Sequence, residues 1–244
     1  LAGAQRPDGA EWCYYTALEG RKPYGPGINC CVSSGPRGMA LAPSLAYLKV
    51  QSDGKEAVAV NLFDSSTATI PVGGGELKLD QSSNIPRGSR EGNGFPARAT
   101  FTIRSAPAKA VSFWVRIPEW AGPLQAHLND RPITAERRDG WAILPERQWK
   151  AGDALRLTFP IRVRLLAGEH GNAGRAALLY GPLVLAYDQS LNPMLSPPRG
   201  MGYATETIRT LELAPPDRGA IALTAMMQDA KGADRDTVLV PFAL

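Results

Sequence analysis

The sequence predicts a mainly β protein built from two consecutive antiparallel β-sandwiches, and three observations carry that expectation. Short alternating or β-branched runs recur from residue 46 onward at a spacing of about 8–12 residues. The chain has Gly 25 and Pro 21 in 244 residues, scattered between apolar runs as turns would be and not gathered into disordered tracts. No amphipathic helical pattern intervenes between the runs, which argues against a β-α-β architecture.

The first hairpin pairs residues 46–50 (Ala-Tyr-Leu-Lys-Val) with 57–63 (Ala-Val-Ala-Val-Asn-Leu-Phe) across Asp53-Gly54, a strong hairpin dipeptide. Gly73-Gly74-Gly75 lacks the Lys-Ser/Thr of a phosphate loop and reads as a turn between strands. The run 76–80 alternates strictly, as does 98–104, where Ala99, Phe101 and Ile103 share one face. The run 111–117 is β-branched and aromatic and ends at Pro118, which has no N–H for a ladder. Strands are expected at 124–128 and near 141–144, with a turn at Asn129-Asp130. Gly152-Asp153 turns the chain into 154–159, and 161–166 follows directly after Pro160.

Residues 168–174 are polar and Gly-rich, which places a boundary between a first sandwich, 46–167, and a second, 168–244. In the second, 176–180 and 183–187 flank Gly181-Pro182. Residues 192–202, with three prolines, read as a long loop, and strands resume at 207–213, 220–224 and 237–240. Residues 1–45 differ from all of this. Ser33-Ser34-Gly35-Pro36 predicts a helix start, with a Ser cap and Pro in the first turn. The helix carries Met39 and Leu41 and fades at Ala42-Pro43, because the residue before Pro resists the helical region. This segment has little apolar mass of its own, so it is expected to pack against something outside the chain.

Composition narrows the function classes. Hydrophobic residues at 44% and charged residues at 20% are ordinary for a globular protein. Lys+Arg 27 against Asp+Glu 23 gives +4, and the basic residues are dispersed. The densest group, Arg137-Arg138, is flanked by Glu136 and Asp139, which reads as a solvated hairpin and not a nucleic-acid footprint. No apolar run approaches the roughly 20 residues needed to cross a bilayer, so no membrane partner is expected. Leu1-Ala2-Gly3-Ala4-Gln5-Arg6 is not a signal peptide and lacks an initiator Met. The chain is therefore expected to begin in mid-protein. Localisation cannot be read from it, and oligomeric state is left open, a homodimer included.

His127 and His170, the two histidines, read as ordinary strand and loop residues, and no Gly-x-Ser-x-Gly elbow accompanies them. No carboxylate pair can be singled out as acid and nucleophile. The cysteines remain: Cys13 and the adjacent Cys30-Cys31. A disulfide between neighbours is strained, and an odd count excludes full pairing, so thiols or metal ligands are expected. Thiolates ahead of a helix start are favoured by its dipole, and zinc accepts thiolate and carboxylate ligands. Glu11-x-Cys13 would put two ligands on one strand face, and with Cys30 and Cys31 these make a four-ligand set. The alternative is that the cysteines act as small apolar residues.

Several segments resemble glycoside hydrolase family 127, the β-L-arabinofuranosidase type. Residues 13–20 (Cys-Tyr-Tyr-Thr-Ala-Leu-Glu-Gly) and 29–38 (Asn-Cys-Cys-Val-Ser-Ser-Gly-Pro-Arg-Gly) are similar to the end of that family's catalytic domain. Residues 115–121 (Val-Arg-Ile-Pro-Glu-Trp-Ala) resemble its "LRIPxWA" strand. Leu128-Asn129, 149–153, 181–184 and 240–243 follow as later landmarks in the same order. The resemblance implies an (α/α)₆ barrel followed by two sandwiches, with residues 1–45 the end of the barrel. It implies a retaining glycosidase acting on a carbohydrate substrate, with Cys30 as nucleophile and zinc ligand, Cys31 as a second ligand, and Tyr14 lining the sugar pocket.

Two departures qualify what the resemblance implies. Val32-Ser33-Ser34 stands where the family has Pro-Pro-Asn after its cysteine pair, which implies a divergent subgroup with another substrate. The family's Glu-x-Cys zinc ligands and acid/base Glu lie upstream in the barrel. Glu11-Trp12-Cys13 imitates that pair at a different position. The chain is thus expected to be a C-terminal fragment, inactive without its N-terminal barrel. The competing reading is a non-catalytic sandwich module for structural support or carbohydrate binding, with Trp120, Trp141 or Trp149 stacking on sugars.

Overall fold

The structure is a computed structural model that describes residues 4–6, 8–15, 22–25, 29–52, 54–85, 96–173, 175–193, 202–203, 209–213, 220–228 and 233–242. The chain divides into two compact units, Arg37–Arg162 and Leu1–Pro36 together with Val163–Leu244. Its mainly β character is as the sequence predicts.

The first unit holds, in chain order, β1 (Tyr47–Ser52), β2 (Lys55–Val60), β3 (Ser66–Val72), β4 (Gly75–Ser83), β5 (Pro96–Ser105) and β6 (Ser112–Arg116). Then follow β7 (Gln125–Leu128), β8 (Arg131–Ile133), β9 (Glu136–Arg138), β10 (Trp141–Ile143) and β11 (Ala154–Pro160). They form two sheets, ordered β1-β2-β6-β10-β9 and β3-β4-β5-β11-β7-β8. The core lies between the sheets, filled by the inward half of each alternating run. Val58 and Val60, Leu77 and Leu79, Phe101 and Ile103, Phe113 and Val115, and Leu155 and Leu157 are all fully buried there. Each such side chain contributes about 1.5–3 kcal/mol by leaving water. Trp149 closes one end: its Nε1–H donates to the Val111 carbonyl at 2.9 Å, and its ring meets Phe113 edge-on.

Four features depart from the sequence reading. The pair β2·β6 is parallel, whereas every other described pair is antiparallel. The chain leaves β2, builds three strands in the opposite sheet, and returns alongside β2, and such a long crossover permits parallel pairing. Strand β3 was not among the expected strands, and Pro71 stands inside it. As an edge strand paired only with β4, it can spare one N–H. The three-residue strands β8 and β9 are too short to show a period. Finally, the helix α1 spans Asn29–Leu41, starting a turn earlier than Ser33. Pro36, read as a first-turn signal, lies inside it, and the Ser33 hydroxyl donates to the Cys30 carbonyl at 3.4 Å instead of capping the end.

The second unit contains β12 (Val163–Ala167), β13 (Ala176–Tyr180), β14 (Leu183–Tyr187), β15 (Gly202–Tyr203), β16 (Arg209–Leu213), β17 (Ala220–Gln228) and β18 (Asp234–Pro241). Among the described residues these form one seven-stranded antiparallel sheet, β12-β13-β14-β18-β17-β15, with β16 also on β17. Buried Asn192 pins the chain after β14 to β18. Its side chain donates to the Val238 carbonyl at 2.9 Å and accepts the Val238 N–H at 2.8 Å. Most of the expected 192–202 loop lies outside the described residues.

Candidate functional site

The cysteine-bearing segment precedes the sheets in the chain and is built around Trp12. Two isolated antiparallel bridges, Gln5 with Trp12 and Cys13 with Tyr24, fold it back on itself. The Cys13 N–H donates to the Ala4 carbonyl at 2.8 Å. Ala4, Trp12 and Cys13 form a small buried cluster, against which Tyr24 and Val32 of α1 pack. Cys13 is thus a buried free thiol among apolar neighbours, the small-hydrophobe environment that favours packing over ligation.

Glu11 turns elsewhere. Its carboxylate pairs with the Arg6 guanidinium, which also holds Asp8. The Arg6 hydrogen bond, aided by the Ala10 N–H, keeps the Asp8 carboxyl down at about 2. Cys30 is exposed in the first turn of α1, and Tyr14 is 48% exposed beside Tyr15. Cys31 follows Cys30 in the same turn, and its side chain lies outside the described residues. Among the described residues, no three His, Cys, Asp or Glu side chains gather as a metal would require. The donors that fit a zinc ion by their chemistry are the adjacent cysteines of α1. Two ligands are half of a tetrahedral site.

The sandwich holds little that could act chemically. One groove of about 510 Å³ is lined by Gln125, His127, Ile133, Thr134 and Arg137 among others, with no carboxylate. Another of about 750 Å³ runs past Met39, Pro43, Tyr47 and Ser66 and has one, Asp64. Neither offers the two facing carboxylates of common glycosidase sites. His127 stands opposite Arg156 and Pro132, and its Nδ1 is buried without a hydrogen-bond partner. His170 sits in an exposed turn at φ 51°. Of the tryptophans considered for sugar stacking, Trp149 is 3% exposed and unavailable. Trp120 leans edge-on against Phe159, and Trp141 is half-buried.

Two groups escaped sequence reasoning. The contact between Trp12 and α1 was hidden because the segment has no helix or strand period to place the ring. The second is buried Asp153, which accepts from the Asn129 side chain at 2.8 Å and the Lys150 N–H at 3.0 Å. Arg147 adds an ion pair at 3.4 Å. The turn signals at both ends of this group were legible, but their pairing was not.

Residues 57–161, which lie within the first compact unit, match a family described as "Beta-L-arabinofuranosidase, GH127 middle domain". A "Non-reducing end beta-L-arabinofuranosidase" of Bifidobacterium longum subsp. longum is 29% identical over 177 residues, covering 68% of this chain. The chain spans 24% of that relative's length. Among solved structures, a GH127 beta-L-arabinofuranosidase from Geobacillus stearothermophilus superposes with a TM-score of 0.76 at 21% identity, covering 99% of this chain and 41% of that one. A second GH127 beta-arabinofuranosidase gives 0.75 at 20% identity, covering 100% of this chain and 41% of that one. The mainly β fold is thus one that these proteins share.

Proposed function

We propose that this chain, a GH127-like protein whose residues 57–161 match the GH127 middle domain, is the C-terminal part of a retaining glycoside hydrolase for β-L-arabinofuranosides or related sugars. Cys30 is its nucleophile. The relatives named above are β-L-arabinofuranosidases, which supports glycoside hydrolysis as the activity of the parent protein. In this reading residues 1–45 are the end of a helical barrel, and the β domains, 46–167 and 168–244, follow it in the chain.

The observation that carries the nucleophile assignment is the place of Cys30: an exposed thiol in the first turn of a 13-residue helix that is anchored on another side. A helix N-terminus favours a thiolate. That thiolate attacks the anomeric carbon as the bond to the leaving oxygen breaks. The leaving oxygen takes a proton from an acid supplied by the upstream barrel. Water, deprotonated by the same group, then displaces the Cys30 sulfur, and two inversions give net retention. Cys30 and Cys31 would hold a zinc ion together with upstream ligands, and zinc bound there keeps the thiol ionised at neutral pH. Tyr14, exposed on the segment beside Trp12, would line the sugar.

The test is hydrolysis of an aryl β-L-arabinofuranoside by the full-length parent and its Cys30→Ser variant. A nucleophile's removal lowers kcat by about a thousandfold or more. Undiminished activity in Cys30→Ser would refute the assignment.

A further inference from the structure

Among the described residues, the part of helix α1 that falls in the second unit, 29–36, meets it through Val32 and Gly35. Of residues 30 and 32–41, only Gly35 is buried, Val32 is half-buried, and the others are exposed. The contact partner is Trp12, itself 7% exposed. A Cβ added at Gly35 would lie 2.8 Å from Cζ3 and 2.9 Å from Cε3 of the indole, closer than real side chains approach. Gly35 is not a turn glycine with a left-handed backbone. It sits inside a helix, where Gly costs about 1 kcal/mol relative to Ala. What glycine supplies here is room for the ring.

At about 100° per residue, Val32 and Gly35 lie about 60° apart on one side of α1, while Cys30 lies about 160° from Val32. The side that meets the Trp12 cluster therefore leaves Cys30 pointing away, where it is exposed. Trp12 is held in turn by the bridges to Gln5 and from Cys13 to Tyr24. We propose that Trp12 and Gly35 are positioning residues: the flat ring against the bare helix backbone sets the rotation of α1 and with it the aim of the Cys30 sulfur. This rests on Cys30 being the nucleophile. Adding one methyl at position 35 must push the helix off the ring or turn it, and displacing a nucleophile by about 1 Å costs up to about 100-fold in rate.

The experiment uses the full-length parent with Gly35→Ala, Trp12→Ala and the double variant Trp12→Ala/Gly35→Ala. Gly35→Ala is expected to lower kcat by about 10- to 100-fold with KM within about twofold, since the sugar contacts stay in place. The rate at which iodoacetamide alkylates Cys30, read by peptide mass, should change alongside. Removing the ring relieves the clash, so the double variant should be no slower than Trp12→Ala alone. If Gly35→Ala does not fold, Trp12→Ala carries the test, with a fall in kcat and a changed rate of Cys30 alkylation expected. Wild-type kcat and alkylation rate in a folded Gly35→Ala or Trp12→Ala protein would overturn the proposal. So would losses that simply add in the double variant. Activity surviving in Cys30→Ser would refute the nucleophile instead, and the alkylation rate would still report whether the helix had moved.

Discussion

The side chain of Asn129 joins both sides of Asp153: its Nδ2 donates to the Asp153 carboxylate at 2.8 Å, and its Oδ1 accepts the Ala154 N–H at 2.8 Å. Asn129 occupies a left-handed turn at φ 49° between β7 and β8, and Asp153 leads into β11. One side-chain pair thus ties a hairpin turn to the start of the strand beside it. Removing either partner strands the other. Asp153→Ala is expected to cost about 2–4 kcal/mol, because the Asn129 amide and the Lys150 N–H lose a charged acceptor. Asn129→Ala should cost about 1–3 kcal/mol, including the strain of Ala at a positive φ. Urea unfolding followed by Trp fluorescence measures both, and losses under about 0.5 kcal/mol would show the pair to be ornamental.

The same carboxylate predicts a pH dependence. Burial pushes the Asp153 carboxyl up, but the Asn129 amide, the Lys150 N–H and the Arg147 charge outweigh it and hold it below the usual aspartate range. A folded-state value below the unfolded one means that the group's contribution is fully present above the unfolded value of about 3.9. It is lost as pH falls through the folded value. The stability gap between the protein and its Asp153→Asn variant should therefore be wide at neutral pH and narrow steadily below about pH 4. A gap that stays constant down to pH 2 would mean that Asp153 does not titrate with folding.

Turn chemistry gives a sharper contrast at Gly73 and Gly74. They form a two-residue hairpin between β3 and β4, at φ 62° and 70°, the mirror-image turn that suits twisted strands. A Cβ at Gly74 would meet only the flexible Lys109 side chain, at an ordinary 3.9 Å, so Gly74→Ala should cost only the left-handed strain, about 1 kcal/mol, and Gly74→Asn less than that. A Cβ at Gly73 would instead meet Pro107 at 3.0 Å and Val111 at 3.2 Å. Its N–H also donates to Glu56 at 2.7 Å. Gly73→Ala should cost more than Gly74→Ala by about 1 kcal/mol or above. Equal thermal shifts in the two variants would contradict the packing argument.

These elements also separate what the residue pattern encodes from what only the fold creates. The 98–104 run announced its buried face through Ala99, Phe101 and Ile103 because the period of a half-buried strand is written directly in alternation. Gly73-Gly74 announced a turn because few residues accept a positive φ. The parallel pairing of β2 with β6 left no mark, since the pattern Ala57-Val58-Ala59-Val60 is the same for either direction. Pro36 misled for a related reason: it is a common first-turn residue, and nothing local distinguishes an interior proline on an exposed helix face. The Trp12–Gly35 contact joins residues 23 apart through shape alone, which no periodicity encodes.

Spacing was least informative at Glu11 and Cys13, which stand two apart in the chain yet have separate surroundings. Glu11 is taken by Arg6 near the surface, whereas Cys13 is buried between Ala4, Trp12 and Tyr24. A zinc ion at Glu11 would have to displace a guanidinium, and one at Cys13 would have to enter an apolar cluster, with both desolvation terms unfavourable. In the full-length parent, Glu11→Gln should therefore leave zinc content, measured by atomic emission, and the rate of the proposed hydrolysis of an aryl arabinofuranoside within about twofold of the unaltered protein. On the roles proposed for Cys30, as metal donor and nucleophile, Cys30→Ser should lower both. Loss of zinc in Glu11→Gln would make that carboxylate a ligand, and the Arg6 pair would then be a resting arrangement that the metal breaks.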